Sequence, residues 1–157
     1  MDASTIDIRS KGICEGIFNA AGSTVNIGQN SSKKSTINVK CTGNSSWSKG
    51  IDTKGTVYIK NCDVNLSTGD EYTKELSGIY VNGKDHGGIL NIQDNVTIDV
   101  ESNTNYEARA IEVDNDGTAT ISGENVMLSV TNCPNAACYG VYNHKSGDKM
   151  TITPGMN

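Results

Sequence analysis

Apolar and polar residues alternate with period two, in runs of four or five, along almost the whole of this chain. Thr5-Ile6-Asp7-Ile8, Thr24-Val25-Asn26-Ile27, Thr56-Val57-Tyr58-Ile59 and Thr97-Ile98-Asp99-Val100 show the pattern cleanly. A run of this kind predicts a β-strand with one buried face, because successive side chains of a strand point to opposite sides. No window places apolar residues at i, i+3, i+4 and i+7, so the chain predicts no helix.

The runs return in a fixed order. A unit led by a small residue opens each repeat: Gly16-Ile17-Phe18-Asn19, Gly50-Ile51-Asp52-Thr53, Gly78-Ile79-Tyr80-Val81, Ala110-Ile111-Glu112-Val113 and Gly140-Val141-Tyr142-Asn143. Their starts, at 16, 50, 78, 110 and 140, are 34, 28, 32 and 30 residues apart. A second run follows (Val25/Ile27, Val57/Ile59, Leu90/Ile92, Ala119/Ile121, Met150/Ile152 inward), then a third (Ile37/Val39, Val64/Leu66, Ile98/Val100, Leu128/Val130 inward). Thr5-Ile6-Asp7-Ile8 is a third run without its first two. A short strand with a single apolar face cannot bury that face alone. Copies stacked one on another can, each strand pairing in parallel with its equivalent one rung away. The expectation is an all-β chain forming a single three-faced parallel β-helix domain over residues 1–157, of about five rungs.

One corner repeats with the strands. Asn61, Asn95 and Asn125 each sit immediately before a third run. Asn tolerates the left-handed backbone of a tight corner, and stacked amides predict a ladder along it. The earliest rung has Lys34 there instead. With this corner the chain resembles the right-handed parallel β-helices of the pectin-lyase-like superfamily, which carry an asparagine ladder between their second and third strands. Its rhythm is also similar to β-helix repeats of large bacterial surface proteins, including carbohydrate-binding ones. The resemblance implies a right-handed coil and polysaccharide bound along the outer face of the first strands.

Neither end shows a capping helix or polar capping rung, which solenoids need. The chain therefore reads as a fragment of a longer protein, or as one that associates end to end through uncapped rungs. Met1 leads straight into a strand-like run, with no signal peptide. The formal charge of −5 is spread without blocks, and the only basic run is Lys33-Lys34, so nucleic acid is not an expected partner. No apolar run is long enough for a membrane helix. Five cysteines cannot all pair internally. Cys41 and Cys62 occupy inward positions, where a free Cys acts as a small hydrophobe. Cys133 and Cys138 flank one loop in which a local disulfide depends on geometry. Buried or idle thiols are the plainer reading, and zinc is disfavoured without a CxxC pair and with His86 and His144 distant.

The candidate site is the outer face of the first strands. Its ladder reads Phe18, Asp52, Tyr80, Glu112 and Tyr142, with rungs ~4.8 Å apart. The loops leading into these strands add Trp47, Tyr72, Tyr106, Arg109 and Tyr139. Flat aromatic surfaces and carboxylates together suit sugar rings and their hydroxyls. Tyr80 and Tyr142, two rungs apart, would lie roughly 9–10 Å from each other, a match to alternate sugars. Catalysis has thinner support. The lyases of the resembled superfamily use clustered aspartates with Ca²⁺ and a basic residue, and here only Arg109 lies near the face. Asp52 and Glu112, at roughly 9–10 Å, reach the outer limit of an inverting carboxylate pair and read as spaced acids on a solvated ladder. Turns containing Asp85, Asp114, Asp116 and Asp148 are weak Ca²⁺ candidates, since Asp, Asn and Gly also simply form turns. No other cofactor is expected.

These readings lead to an extracellular or cell-surface module, non-catalytic, that binds glycan or adheres through the first-strand face. The alternatives are a rigid stalk or spacer and, third, a polysaccharide lyase or hydrolase-like enzyme.

Overall fold

The computed structural model describes residues 4–29, 32–43, 47–69, 75–84, 87–102, 106–134 and 136–154. In chain order the strands are β1 (Thr5–Ser10), β2 (Glu15–Asn19), β3 (Thr24–Ile27), β4 (Ser35–Cys41) and β5 (Ser48–Thr53). There follow β6 (Thr56–Ile59), β7 (Cys62–Thr68), β8 (Leu76–Asn82), β9 (Ile89–Ile92) and β10 (Val96–Glu101). The last are β11 (Ala108–Asp114), β12 (Thr118–Gly123), β13 (Val126–Thr131), β14 (Cys138–Asn143) and β15 (Lys149–Pro154). They form three sheets of five strands with orders β14-β11-β8-β5-β2, β15-β12-β9-β6-β3 and β1-β4-β7-β10-β13. Every pairing is parallel and joins strands three apart in the chain, which is a three-faced β-solenoid of about 4 turns. No helix occurs among the described residues. The expected three-strand order is therefore the observed one.

Register lines up the repeat position by position. Ile17, Ile51, Ile79, Ile111 and Val141 form one inward column, and Ile37, Val64, Ile98 and Leu128 another. The middle members of these columns have essentially no exposed surface. β-Branched side chains suit this narrow core because few rotamers are lost on stacking. One expected core residue departs. Ile152 is mostly exposed, because β15 is an edge strand covered by no further rung.

At Gly50 and Gly78 the glycine of the repeat is required by packing. A Cβ on Gly78 would stand 2.7 Å from the Ala110 carbonyl oxygen and 2.7 Å from Ile98 Cγ2. At Gly50 it would stand 2.5 Å from the Gly78 carbonyl oxygen and 3.0 Å from Val64 Cγ1. Here the first sheet comes nearest the third, and a side chain at Gly50 or Gly78 would push the two apart.

The corner ladder forms as expected. Asn61, Asn95 and Asn125 have φ of 47°, 59° and 57°. The Asn125 amide donates to Asn95 Oδ1 at 3.1 Å, and the Asn95 amide donates to Asn61 Oδ1 at 3.0 Å. Where the first rung has Lys34, its ammonium instead reaches Asp63 Oδ1 at 2.6 Å and Thr97 Oγ1 at 3.2 Å. A second polar ladder, on the outer face of the third sheet, was not expected: Asn65 donates to Asn38 at 2.8 Å and Asn38 to Asp7 at 2.6 Å.

The cysteines need correction. Cys41 is inward and fully buried, but it is bonded to Cys14 with Cα atoms 6.0 Å apart, so it is not a free thiol. Cys133 and Cys138 are bonded across their loop, with Cα atoms 6.3 Å apart. Both separations lie in the disulfide range. Cys14 and Cys41 stand 27 residues apart, close to one repeat, so the coil and not the local sequence brings them together. Only Cys62 is free, and burial, followed by the Asp63 charge, pushes its thiol up to about 12.

Candidate functional site

Two columns of side chains stand on the outer face of the first sheet. Glu15, Lys49, Ser77, Arg109 and Tyr139 share one register position, and Phe18, Asp52, Tyr80, Glu112 and Tyr142 share another three residues on. Strict alternation would send residues three apart to opposite faces. The Gly–Ile pair between them breaks the alternation. Gly50 and Ile51 both pack against the core, so Lys49 and Asp52 emerge on the same side and form an ion pair. Arg109 and Glu112 flank Ala110 and Ile111 in the same way, with Arg109 Nη1 3.4 Å from Glu112 Oε2. The sequence pattern reveals the second column, and of the first only Arg109 and Tyr139, which it assigns to loops and which stand on strands instead. A polar residue two before each Gly–Ile pair's isoleucine was the available signal.

The ladder expected to be solvated is buried. Asp52 and Glu112 each expose 4 %, and Tyr80 exposes 5 %. The long side chains of the neighbouring column lie across them. Lys49 Nζ sits 4.2 Å from the Tyr80 ring centre while pairing with Asp52, and the Arg109 guanidinium lies 4.5 Å from the Tyr142 ring centre. Cation–ring contacts of this kind gain strength when desolvated. Arg109, expected in a loop, is a strand residue exposing 2 %. It binds Glu112, Glu75 at 3.0 Å, and Glu107. Burial works against its charge, but the three carboxylates outweigh that and raise its affinity for the proton. Ser77 Oγ donates to Glu112 Oε2 at 2.5 Å, and His144 Nδ1 lies 3.7 Å from Glu112 Oε1.

Tyr80 is committed to the scaffold. Its hydroxyl donates to Asp114 Oδ2 at 2.9 Å, and burial, followed by that bond, holds its proton well beyond the ordinary tyrosine range. Asp114 shows the opposite balance. Burial alone would raise its pKa, but hydrogen bonds from Tyr80, Lys145 and the Asn115 N–H lower it. Two buried polar atoms in this network have no hydrogen-bond partner: Asp52 Oδ1 and Arg109 Nε.

Accessible apolar surface is found towards the two ends of the face. Phe18 and Trp47 expose 54 % and 51 %, on the first two rungs. Tyr106 is also exposed, just before β11. On the last rung, Tyr139 and Tyr142 are half-buried with ring centres 4.9 Å apart, and Tyr142 meets His144 edge to face at 5.7 Å. Phe18 and Tyr142 are four register steps apart, roughly 19 Å along the coil. Tyr72 lies outside the described residues.

Two of the Ca²⁺ candidates, Asp114 and Asp148, have carboxylate oxygens engaged within the chain. Lys145 Nζ lies 3.2 Å from Asp114 Oδ1, where a cation would bind. Asp148 accepts the Asp116 N–H at 2.9 Å and the Lys145 N–H at 2.6 Å. Among the described residues no three His, Cys, Asp or Glu side chains gather as a metal-ligand set. Asp85 and His86 lie outside the described residues. No family model, curated protein or solved structure matches this chain.

Proposed function

We propose that the outer face of the first sheet is a non-catalytic glycan-binding or adhesive surface. The observation that carries this is the layout of the face: accessible aromatic side chains towards both ends of a flat, internally braced polar strip. Sugar rings stack on aromatic faces, and their hydroxyls pair with fixed polar groups. A strip roughly 19 Å long matches a short run of an extended polysaccharide. The contacting residues are then Phe18, Trp47, Tyr106, Tyr139 and Tyr142. Tyr80, Asp52 and Glu112 hold the strip rigid beneath them. Pre-ordering of this kind lowers the cost of binding.

The resemblance to pectin-lyase-like β-helices and to bacterial cell-surface repeats supports the same reading. Two disulfides favour an extracellular setting, where such bonds persist. Affinity electrophoresis against a panel of soluble polysaccharides is the test. Trp47→Ala and Tyr142→Ala should each weaken retention about tenfold, equivalent to about 1.4 kcal/mol. Retention by no member of the panel would remove the proposal.

One observation favours a second reading, the rigid spacer. The charges of the strip are mostly neutralised by one another, as in Lys49 with Asp52 and Arg109 with Glu112, which is what a stiff, inert surface needs. Repeats of the same kind flanking these residues in the full gene product, with no glycan retained, would support the spacer.

A further inference from the structure

The two disulfides differ in a way that bears on the aromatic end of the face. Both bridge the corner between a third strand and the first strand that follows or precedes it, and both anchor an edge strand of the first sheet, β2 or β14. Cys14–Cys41 is sealed, with both residues at most 1 % exposed. Cys138, by contrast, is exposed and Cys133 half-exposed. Cys138 is the first residue of β14 and directly precedes Tyr139, whose ring packs on Tyr142. Tyr142 in turn lies under the Arg109 guanidinium. β14 pairs only with β11, so its leading end is held by one ladder and this bond.

We propose that Cys133–Cys138 is a site of reversible thiol–disulfide exchange that controls the placement of the Tyr139–Tyr142 pair. An incoming thiolate of a small dithiol attacks Cys138 Sγ, the S–S bond breaks, and the Cys133 thiolate leaves and takes up a proton. The second thiol of the dithiol then closes on the mixed disulfide, releasing Cys138 as a thiol and the reagent as its own disulfide. Two electrons pass from reagent to protein. Exposed disulfides are the ones that exchange. Cys62 takes no part, because its buried thiol stays protonated at neutral pH. Freed of the bond, the leading end of β14 loosens, and Tyr139 leaves its packing on Tyr142. The proposal rests on the glycan reading only for its effect on binding.

The test titrates the intact chain with a small dithiol, traps thiols by alkylation and maps them by mass spectrometry. Cys133 and Cys138 should become labelled at least tenfold faster than Cys14 and Cys41. At that stage the near-ultraviolet tyrosine dichroism should fall while the far-ultraviolet β signal is kept. The double variant Cys133→Ser, Cys138→Ser should show the same tyrosine change without reductant. Equal labelling rates for the two disulfides, or an unchanged tyrosine signal after selective reduction, would overturn the proposal. Polysaccharide retention is measured in both states. Retention in neither would count against the glycan reading alone, whereas retention that is identical in both would count against redox control of the face.

Discussion

The hydroxyl of Tyr80 donates a 2.9 Å hydrogen bond to Asp114, one rung further along the coil and two residues beyond its register partner. This diagonal contact ties β8 to the end of β11 and fixes the phenol that the alternating pattern sends outward. Tyr80→Phe keeps the ring and deletes the donor to a buried carboxylate, so the chain should lose about 1–3 kcal/mol. A urea midpoint unchanged from the parent would refute the role.

The same bond gives a pH dependence with a definite sign. Asp114 has a folded pKa below its ordinary 3.8. Its contribution is fully present above 3.8 and is lost as pH falls through the folded value. In Tyr80→Phe the folded pKa should move up towards 3.8, so the variant's deficit relative to the parent should shrink in acid. Urea midpoints compared at pH 6 and at pH 2.5 would show this, and a deficit that is constant with pH would count against it.

Gly78 sits where a Cβ would meet the Ala110 carbonyl oxygen and Ile98 Cγ2, each at 2.7 Å. Overfilling a packed site costs about 1–3 kcal/mol, so Gly78→Ala should be destabilising although alanine is small. Gly22 is a control on space, since nothing lies within 4 Å of its added Cβ. Its φ of 74° makes Gly22→Asn the tolerated change there. Chemical denaturation of the two variants separates crowding from backbone strain.

Asn95 is the middle of the corner ladder and has φ of 59°. Asn95→Ala removes both ladder hydrogen bonds and places alanine in a left-handed conformation. Asn95→Gly removes the bonds but relieves the backbone. The alanine variant should therefore be the less stable by about 1 kcal/mol, with both below the parent. A glycine variant as unstable as the alanine one would show that the amide ladder alone sets the corner.

Cys14–Cys41 closes a loop of sequence separation 27 within the first rung. Constraining a loop of this size stabilises by about 3–4 kcal/mol in the chain-entropy description. Cys14→Ser with Cys41→Ser, made in a chain already lacking Cys133–Cys138, should lower the thermal midpoint and fray β2 first. Hydrogen exchange that is fastest in β2 and unchanged in β8 is the expected pattern.

Much of the architecture was legible in advance because it is written in local periodicities. Ile79 between Gly78 and Tyr80, Asn95 before Val96, and the return of the same order after each repeat are short-range facts. A chain with such strands has few ways to hide their apolar faces other than stacking them. The site was less legible. Tyr80 and Asp52 were placed on the correct face, yet alternation alone could not say that Lys49 would lie across them. That depends on Gly50 and Ile51 both turning inward, which in turn depends on how close Val64 comes.

The amino-acid sequence by itself determined the strand order, the inward columns and the asparagine corners, since period-two alternation and a repeating unit act over a few residues. Only the tertiary structure decided which outward residues are buried and which stay free. Cys14 meets Cys41, Arg109 reaches Glu75, and Tyr80 reaches Asp114 because the coil sets residues about one repeat apart on neighbouring rungs. At a spacing of ~4.8 Å, side-chain length and charge on one rung settle the exposure of the next.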